Sequence, residues 1–309
     1  MARGRDPVVA VVGPTATGKT AVAVGLALRL GAAELVNADS RQILRGLRVG
    51  TNRPLPEELR GVPCHLLDLA DPGEPFSVAD WVVEARRCLA GLDRRGVRPI
   101  VVGGTGLYLR ALLDEFELPG GQPDPARRAD LSERAGTPKG LSELARELGR
   151  RDPQGAAHID LRNPRRVVRA IEILDADGSL AAHRHSGPGR ATTWIGLDAT
   201  PELQRRTVDD RSSAMIFSGL VEETAAALER GVPALILERS GIGYREALGV
   251  MAGTLTEADA VDAIAGRTRR YAKAQRTWFR RDARIRWLHR ERTDDLPQII
   301  EAAVALIGA

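Results

Sequence analysis

The chain has 309 residues, 43% hydrophobic and 28% charged with a formal net charge of +4, enough apolar material for one large α/β domain with an insertion or for two ordinary domains. No apolar run approaches the ~18 residues of a bilayer-spanning helix. The N-terminal "MARGRDPVVAVV" breaks at Gly13-Pro14 without a small-residue cleavage site, so a cytoplasmic protein with no membrane association is expected. Two cysteines, Cys64 and Cys88, are too few for a disulfide framework and lack zinc spacing.

The first predicted element is a short β-branched strand, Pro7 to Val12. It runs directly into "GPTATGKT" and then "TAVAVGLALRLG", whose apolar spacing is helical and which stops at Gly31. Gly13, Pro14, Thr15, Ala16, Thr17, Gly18, Lys19 and Thr20 fit the phosphate-loop pattern G-x-x-x-x-G-K-T. Backbone N–H groups from Thr15 to Thr20 can point at phosphate oxygens, and the following helix presents its positive dipole end. Lys19 adds charge and Thr20 a hydroxyl for magnesium. Taken alone, this motif points to a nucleoside triphosphatase or a kinase.

A second strand, "AELVNADS", ends at Asp39, a carboxylate that a P-loop enzyme can use on magnesium or as a base; a plain cap or turn residue fits the pattern too. The amphipathic "SVADWVVEARRCLAGLDRRG" supplies a crossover helix. In the third strand, "RPIVVGGTG", Gly103, Gly104 and Gly106 permit close backbone approach and Thr105 offers a hydroxyl ahead of a helix, although a simple strand-to-helix turn would look alike. In parallel sheets ligands collect at such carboxyl ends, so the three loops are expected to face one crevice.

Near Leu118 prolines and glycines crowd together and strand signals stop. Residues 119–193 therefore read as a helical insertion, and residues 1–118 with 194–309 as a discontinuous core. Within the insertion, "NPRRVVRAIEILDADG" starts with Asn163 as N-cap and Pro164 at the first helical position, and Gly178 ends it. "TTWIGLDA" reads as a strand returning to the sheet, and the remainder as mostly helical. From Arg267 to Arg290 there are ten Lys or Arg against one Asp, a local excess that suggests a polyanionic partner. Arg269, Lys273, Arg276 and Arg280 recur at helical spacing as a basic stripe; Tyr271, Gln275 and Trp278 form a neighbouring stripe that packs inward or stacks on a base. The five histidines, His65, His158, His183, His185 and His289, show no metal-ligand spacing.

Over nearly the whole chain and in order, "GPTATGKT", "DSRQ", "GTNRP", "HLLD", "FSVADW", "GGTGLYLRALL", "NPRRVVRAIE", "RSSAMIFSGLVEE", "GIGYRE" and "TRRYAKAQRTWFRRD" resemble the tRNA dimethylallyltransferases, also called tRNA isopentenylpyrophosphate transferases. The resemblance implies a P-loop NTPase-like α/β core, its parallel sheet flanked by helices, with an inserted all-helical tRNA-binding domain. It also implies that the loop holds the diphosphate of dimethylallyl diphosphate rather than ATP, with magnesium as cofactor. The acceptor would be the exocyclic amine of the adenosine 3′-adjacent to the anticodon, in the anticodon arm of tRNA.

That amine is a weak nucleophile because its lone pair is delocalised, so it needs a base; Asp39 matches the family's catalytic carboxylate. Charge growing on the departing diphosphate must be met by fixed donors. By resemblance, Thr105 and Arg211 join Lys19 and the loop amides in this role, and Arg206, Asp210 and Met215 also occupy family positions. Extruding the base calls for anchors on the RNA. The resemblance assigns tRNA contacts to Asp39, Ser40, Arg41, Gln42, Thr105, Arg128, Arg165, Arg166, Val167, Val168 and Arg169. Leu44, Asn52, Arg53, Cys64 and Ala274 depart from the family pattern, and none is expected to touch the phosphate loop, Asp39, Thr105 or Arg211. The chain ends without the zinc-finger tail of eukaryotic relatives, which suggests the bacterial form, expected as a monomer. Two other readings stay open: a P-loop kinase or adenylate prenyltransferase acting on free nucleotide, and a non-catalytic RNA-binding P-loop protein.

Overall fold

The computed structural model describes residues 7–114, 124–180 and 189–308. It divides into two compact units, Met1–Leu113 with Arg190–Ala309, and Asp114–Gly189. The expected first boundary, after residue 118, lies outside the described residues. The second, expected after residue 193, moves to Gly189, because Thr192 and Thr193 already pair with Val8 and Val9 in the sheet.

The first unit opens with β1 (Val8–Val12), α1 (Lys19–Leu30), β2 (Ala33–Asn37), α2 (Pro56–Leu59), β3 (Cys64–His65), α3 (Val78–Arg95), β4 (Arg98–Gly103) and α4 (Gly106–Leu113). The second holds α5 (Pro125–Ala135), α6 (Pro138–Arg151), α7 (Pro153–Ala156) and α8 (Pro164–Asp177). The first then resumes with β5 (Thr192–Ala199), α9 (Pro201–Phe217), α10 (Leu220–Glu229), α11 (Ala234–Ser240), α12 (Tyr244–Met251), α13 (Glu257–Phe279), β6 (Arg286–Arg290) and α14 (Leu296–Gly308).

The six described strands form one parallel sheet, in the order β3-β2-β4-β1-β5-β6. Val9, Val11, Leu35, Ile100, Val102, Ile195 and Leu197 share one apolar cluster with α1 and with Ile299 and Ala303 of α14. The alternate residues Val8, Ala10, Val36 and Val101 are buried as well, as expected where helices cover both faces and strands read as unbroken apolar runs. After β5 the described chain is mostly helical, as expected, apart from β6, a strand that the sequence pattern does not mark, which pairs with β5 from Ile195↔Arg286 to Ala199↔Arg290. Its sequence, RWLHR, is an edge strand carrying charge, so the apolar alternation that announces a strand is absent.

In the second unit, each of the four described helices starts from the same local chemistry. Asp124, Thr137, Asp152 and Asn163 are N-caps whose side chains accept a first-turn N–H, and a proline follows each of them. A capped donor and a pre-set φ make these starts favourable before any tertiary packing. The four helices then close over Leu131, Leu144, Leu148, Val167, Ile171 and Leu174. No described helix is long and apolar enough to cross a membrane.

Candidate active site

The phosphate loop leaves β1 at Gly13, where φ is 137° and a Cβ would lie 2.1 Å from the Leu197 carbonyl oxygen on β5. Only glycine lets the chain turn so close to its neighbour. Inside the loop, Pro14 O accepts from Thr17 Oγ1 at 3.0 Å and from Lys19 Nζ at 2.6 Å. Thr15 is held at three atoms: its N–H donates to Gln275 Oε1 at 2.8 Å, its carbonyl accepts from Gln204 Nε2 at 3.1 Å, and its Oγ1 accepts from Arg211 Nη1 at 3.0 Å. The expectation that phosphate-facing amides begin at Thr15 is therefore corrected, since that N–H is committed to Gln275.

Register levels the neighbouring strand ends: Val12 sits opposite Gly103 and Asn37 opposite Val102. Ala38, just past β2, donates to Val102 O at 2.8 Å and accepts from Thr105 N at 3.2 Å. A Cβ on Gly103 would come within 2.2 Å of Ala38 O. Next to it, Asp39 Oδ1 accepts from Arg41 N at 2.8 Å, which fixes the carboxylate through its own turn.

One cleft gathers Thr15, Ala16, Gly18, Lys19, Thr20, Asn37, Asp39, Gln42, Thr51, Asn52, Pro54, Cys64, Val102, Gly103, Gly104, Arg211, Tyr271 and Gln275. Ser40, Arg41 and Thr105 are not among the lining residues. Thr105 Oγ1 instead accepts from Ser40 N at 3.0 Å and donates to Ser40 Oγ at 3.4 Å, so the hydroxyl splints the loop that carries Asp39. Asn52 and Cys64, two of the departures from the family pattern, line the cleft, where they bear on the fit of a substrate. Burial pushes the Cys64 thiol up to about 11, which keeps it protonated and a poor nucleophile.

Burial, and after it the Arg211 charge, lowers Lys19 to about 7, while Asp39 pulls the other way. Burial also pushes the Arg211 guanidinium down. Two desolvated cations beside one carboxylate make a site that gains from an incoming anion. Among the described residues no group of three or more His, Cys, Asp or Glu could hold a metal ion by itself. Magnesium commonly takes one or two protein oxygens and completes its shell with water and substrate phosphates, and Thr20, lining the cleft with Asp39, fits that donor set.

The basic stripe on α13 is largely neutralised from within. Arg276 grips Asp198 through Nε at 3.0 and 2.9 Å and through Nη2 at 2.7 Å, and Arg280 Nη2 reaches the same carboxylate at 3.4 Å. Arg269 pairs with Asp209. Among the described residues only Lys273 of the four has no carboxylate partner. The neighbouring stripe divides: Gln275 is buried, whereas Tyr271 and Trp278 are 39% and 40% exposed, Tyr271 in the cleft and Trp278 against Gly106.

In the second unit, Arg165 and Arg166 are exposed on α8, but Val167 and Val168 are buried in the helical core. Their side chains are thus corrected from RNA contacts to core packing. Arg128 forms a two-pronged pair with Glu172, both arms at 2.7 Å, and Arg169 Nη1 reaches the same carboxylate at 3.2 Å. His183 and His185 lie outside the described residues.

A model of the family described as IPP transferase matches residues 42–282, and one described as isopentenyl transferase matches residues 7–70. The chain belongs to the IPP transferase family. A tRNA dimethylallyltransferase of Thermomicrobium roseum is 43% identical over 286 residues, 92% of this chain and 86% of that one. Another, from Bifidobacterium longum, is 40% identical, covering 97% and 90%. The crystal structure of a full-length tRNA isopentenylpyrophosphate transferase from Bacillus halodurans superposes with a TM-score of 0.69 at 34% identity, covering 98% of this chain and 97% of that one.

Sequence reasoning missed Gln204 and Arg290. Gln204 holds the Thr15 carbonyl, and Arg290 reaches Thr17 O at 3.4 Å while pairing with Asp295. A glutamine inside a helix carries no local sign of which distant backbone it will meet. Arg290 was hidden by the missed strand β6.

Proposed function

We propose that the protein transfers the dimethylallyl group of dimethylallyl diphosphate to the exocyclic amine of the adenosine 3′-adjacent to the anticodon of tRNA, acting as a monomer in the cytoplasm. The observation that carries this reading is the composition of one cleft: a phosphate loop with Lys19 and Arg211, and Asp39 as the one acidic residue among its lining. That the relatives bear the name tRNA dimethylallyltransferase supports the choice of substrates.

Asp39 takes a proton from the amine as the nitrogen bonds to the prenyl C1. The C1–O bond breaks, and its electron pair leaves with the diphosphate. Lys19, Arg211 and the loop amides meet the charge that develops on the leaving oxygen, already in place before reaction. Thr20 would hold magnesium, which would supply further charge neutralisation when bound. Thr105 holds Ser40, and through it the turn that aims Asp39. Arg165, Arg166, Arg128 and Arg169 are the groups of the insertion suited to RNA phosphates.

Labelled dimethylallyl diphosphate, magnesium and tRNA, incubated with the protein and followed by nucleoside analysis, test the reading. Label on the adenosine beside the anticodon, with ATP not consumed, is the expected result. Transfer to free AMP but not to tRNA, or product formation coupled to ATP consumption, rejects it.

A further inference from the structure

A primary carboxamide offers one acceptor oxygen and two N–H donors, and Gln275 uses both ends on backbone. It is 6% exposed, its Oε1 accepts the Thr15 N–H at 2.8 Å, and its Nε2 donates to Gly104 O at 2.9 Å. The partners fix which end is which, because one is a donor and the other an acceptor. One side chain from α13 thus bridges the loop after β1 and the loop after β4. A Cβ on Gly104 would lie 2.2 Å from Nε2, so the bridge also requires glycine there.

The same stretch is gripped from α9. Gln204 Nε2 donates to the Thr15 carbonyl at 3.1 Å, and its Oε1 accepts from Arg276 Nη2 at 2.7 Å, with Arg276 anchored on Asp198. Immediately after Thr15, Ala16 sits at φ 63°, a left-handed conformation that costs energy for any residue with a Cβ and persists where the surroundings over-determine it. The two glutamines fix the N–H and the C=O of the residue directly before Ala16, beside the Arg211 contact to the Thr15 hydroxyl.

We propose that Gln275 and Gln204 are positioning residues. They clamp the Thr15 backbone by its N–H and its C=O, hold Ala16 in its strained conformation, and so keep the diphosphate cradle formed before ligand arrives. Gln275 also locks the cradle to the loop of Thr105. The proposal rests on the reading of the loop as a diphosphate site, but not on the identity of the acceptor.

The test compares Gln275→Met, Gln204→Met and the double variant of the full chain, since methionine matches glutamine in length and lacks both polar ends. The probe is inorganic pyrophosphate with magnesium, by calorimetry, alongside kcat and the KM for tRNA. Each single variant is expected to weaken pyrophosphate at least fivefold and to lower kcat, with the KM for tRNA within twofold of the parent. The double variant is expected to be no more than twofold worse than the weaker-binding single, because both side chains act on one residue. Pyrophosphate affinity within twofold of the parent in the single variants, or losses that simply multiply in the double, overturns the clamp. If Gln275→Met does not fold, Gln204→Met decides by the same fivefold and twofold thresholds. A parent that binds pyrophosphate without alkylating tRNA would sink the proposed function while leaving the clamp open to the same measurement.

Discussion

Arg211 Nη1 and Thr15 Oγ1 meet at 3.0 Å across 196 positions of sequence. The contact sets a guanidinium at the first turn of the phosphate loop, beside a lysine that burial has already lowered to about 7. Both cations are better off once an anion neutralises them. Replacing Arg211 by alanine should cut single-turnover prenyl transfer by about 10²–10³, the usual scale for one donor facing developing charge. Arg211→Lys should recover only part of it, since a point charge does not reproduce a fork able to hold Thr15 and the proposed diphosphate together. A loss under tenfold for Arg211→Ala would remove the residue from the leaving-group site.

Asp39→Asn separates the base from the turn. The amide oxygen can still accept the Arg41 N–H that Asp39 now receives at 2.8 Å, so the loop should keep its shape. What disappears is the proposed proton acceptor, and general base removal ordinarily costs about 10²–10⁴ in rate. The expected outcome is a kcat lower by that range with the KM for tRNA within twofold. An unchanged kcat would take the base assignment away from Asp39.

The basic side chains of α13 divide by whether a buried carboxylate holds them. Asp198 is 2% exposed, so Arg276→Ala leaves a buried carboxylate with Arg280 as its remaining cation and should cost about 3–5 kcal/mol of stability, read as a lowered denaturation midpoint. Lys273 is exposed and should behave in the opposite way. Lys273→Ala is expected to leave the midpoint unchanged and, if Lys273 meets an RNA phosphate, to reduce the slope of log affinity against log salt by about 1. An equal effect of both substitutions on stability would contradict this division.

That contrast marks how far the sequence was legible. Spacing places Arg269, Lys273, Arg276 and Arg280 on one face, but carries no sign of Asp198 waiting on β5 to neutralise two of them. The P-loop and the order of strand, loop and helix were readable because the glycines, lysine and apolar runs act locally. Asn163, Pro164 and Gly178 gave the bounds of α8 for the same reason. The clamp on Thr15, the edge strand β6 and the Arg128 arm of the Glu172 cluster all depend on partners tens to hundreds of residues away, and no periodicity reports such meetings. Thr105 illustrates the middle ground: its position at a strand end was readable, its hydrogen bond to Ser40 was not.

Glu172 contributes a pH dependence to the insertion, beside Asp175, whose carboxyl, pushed up by burial, Arg151 and Arg127 also hold down. Burial pushes the Glu172 carboxyl up, but hydrogen bonds from Arg128 and Arg169 more than offset that and hold it below its ordinary range. Between the folded and the ordinary value, the unfolded chain binds the proton and the folded one does not, so stability rises with pH there. The contribution is complete above about 4.3, the ordinary glutamate value, and is lost as pH falls through the lower folded value. Glu172→Gln removes the ionised acceptor and should cost about 1.5–3 kcal/mol at neutral pH, the scale of hydrogen bonds to a charged group. The half-exposed Arg128 can turn to water instead of staying buried without a partner, which keeps the cost below that of a fully enclosed pair. Denaturation midpoints of parent and variant, followed from pH 7 downward, should converge as acid protonates Glu172 in the parent. Parallel curves that never converge would show that this carboxylate contributes no pH-linked stability.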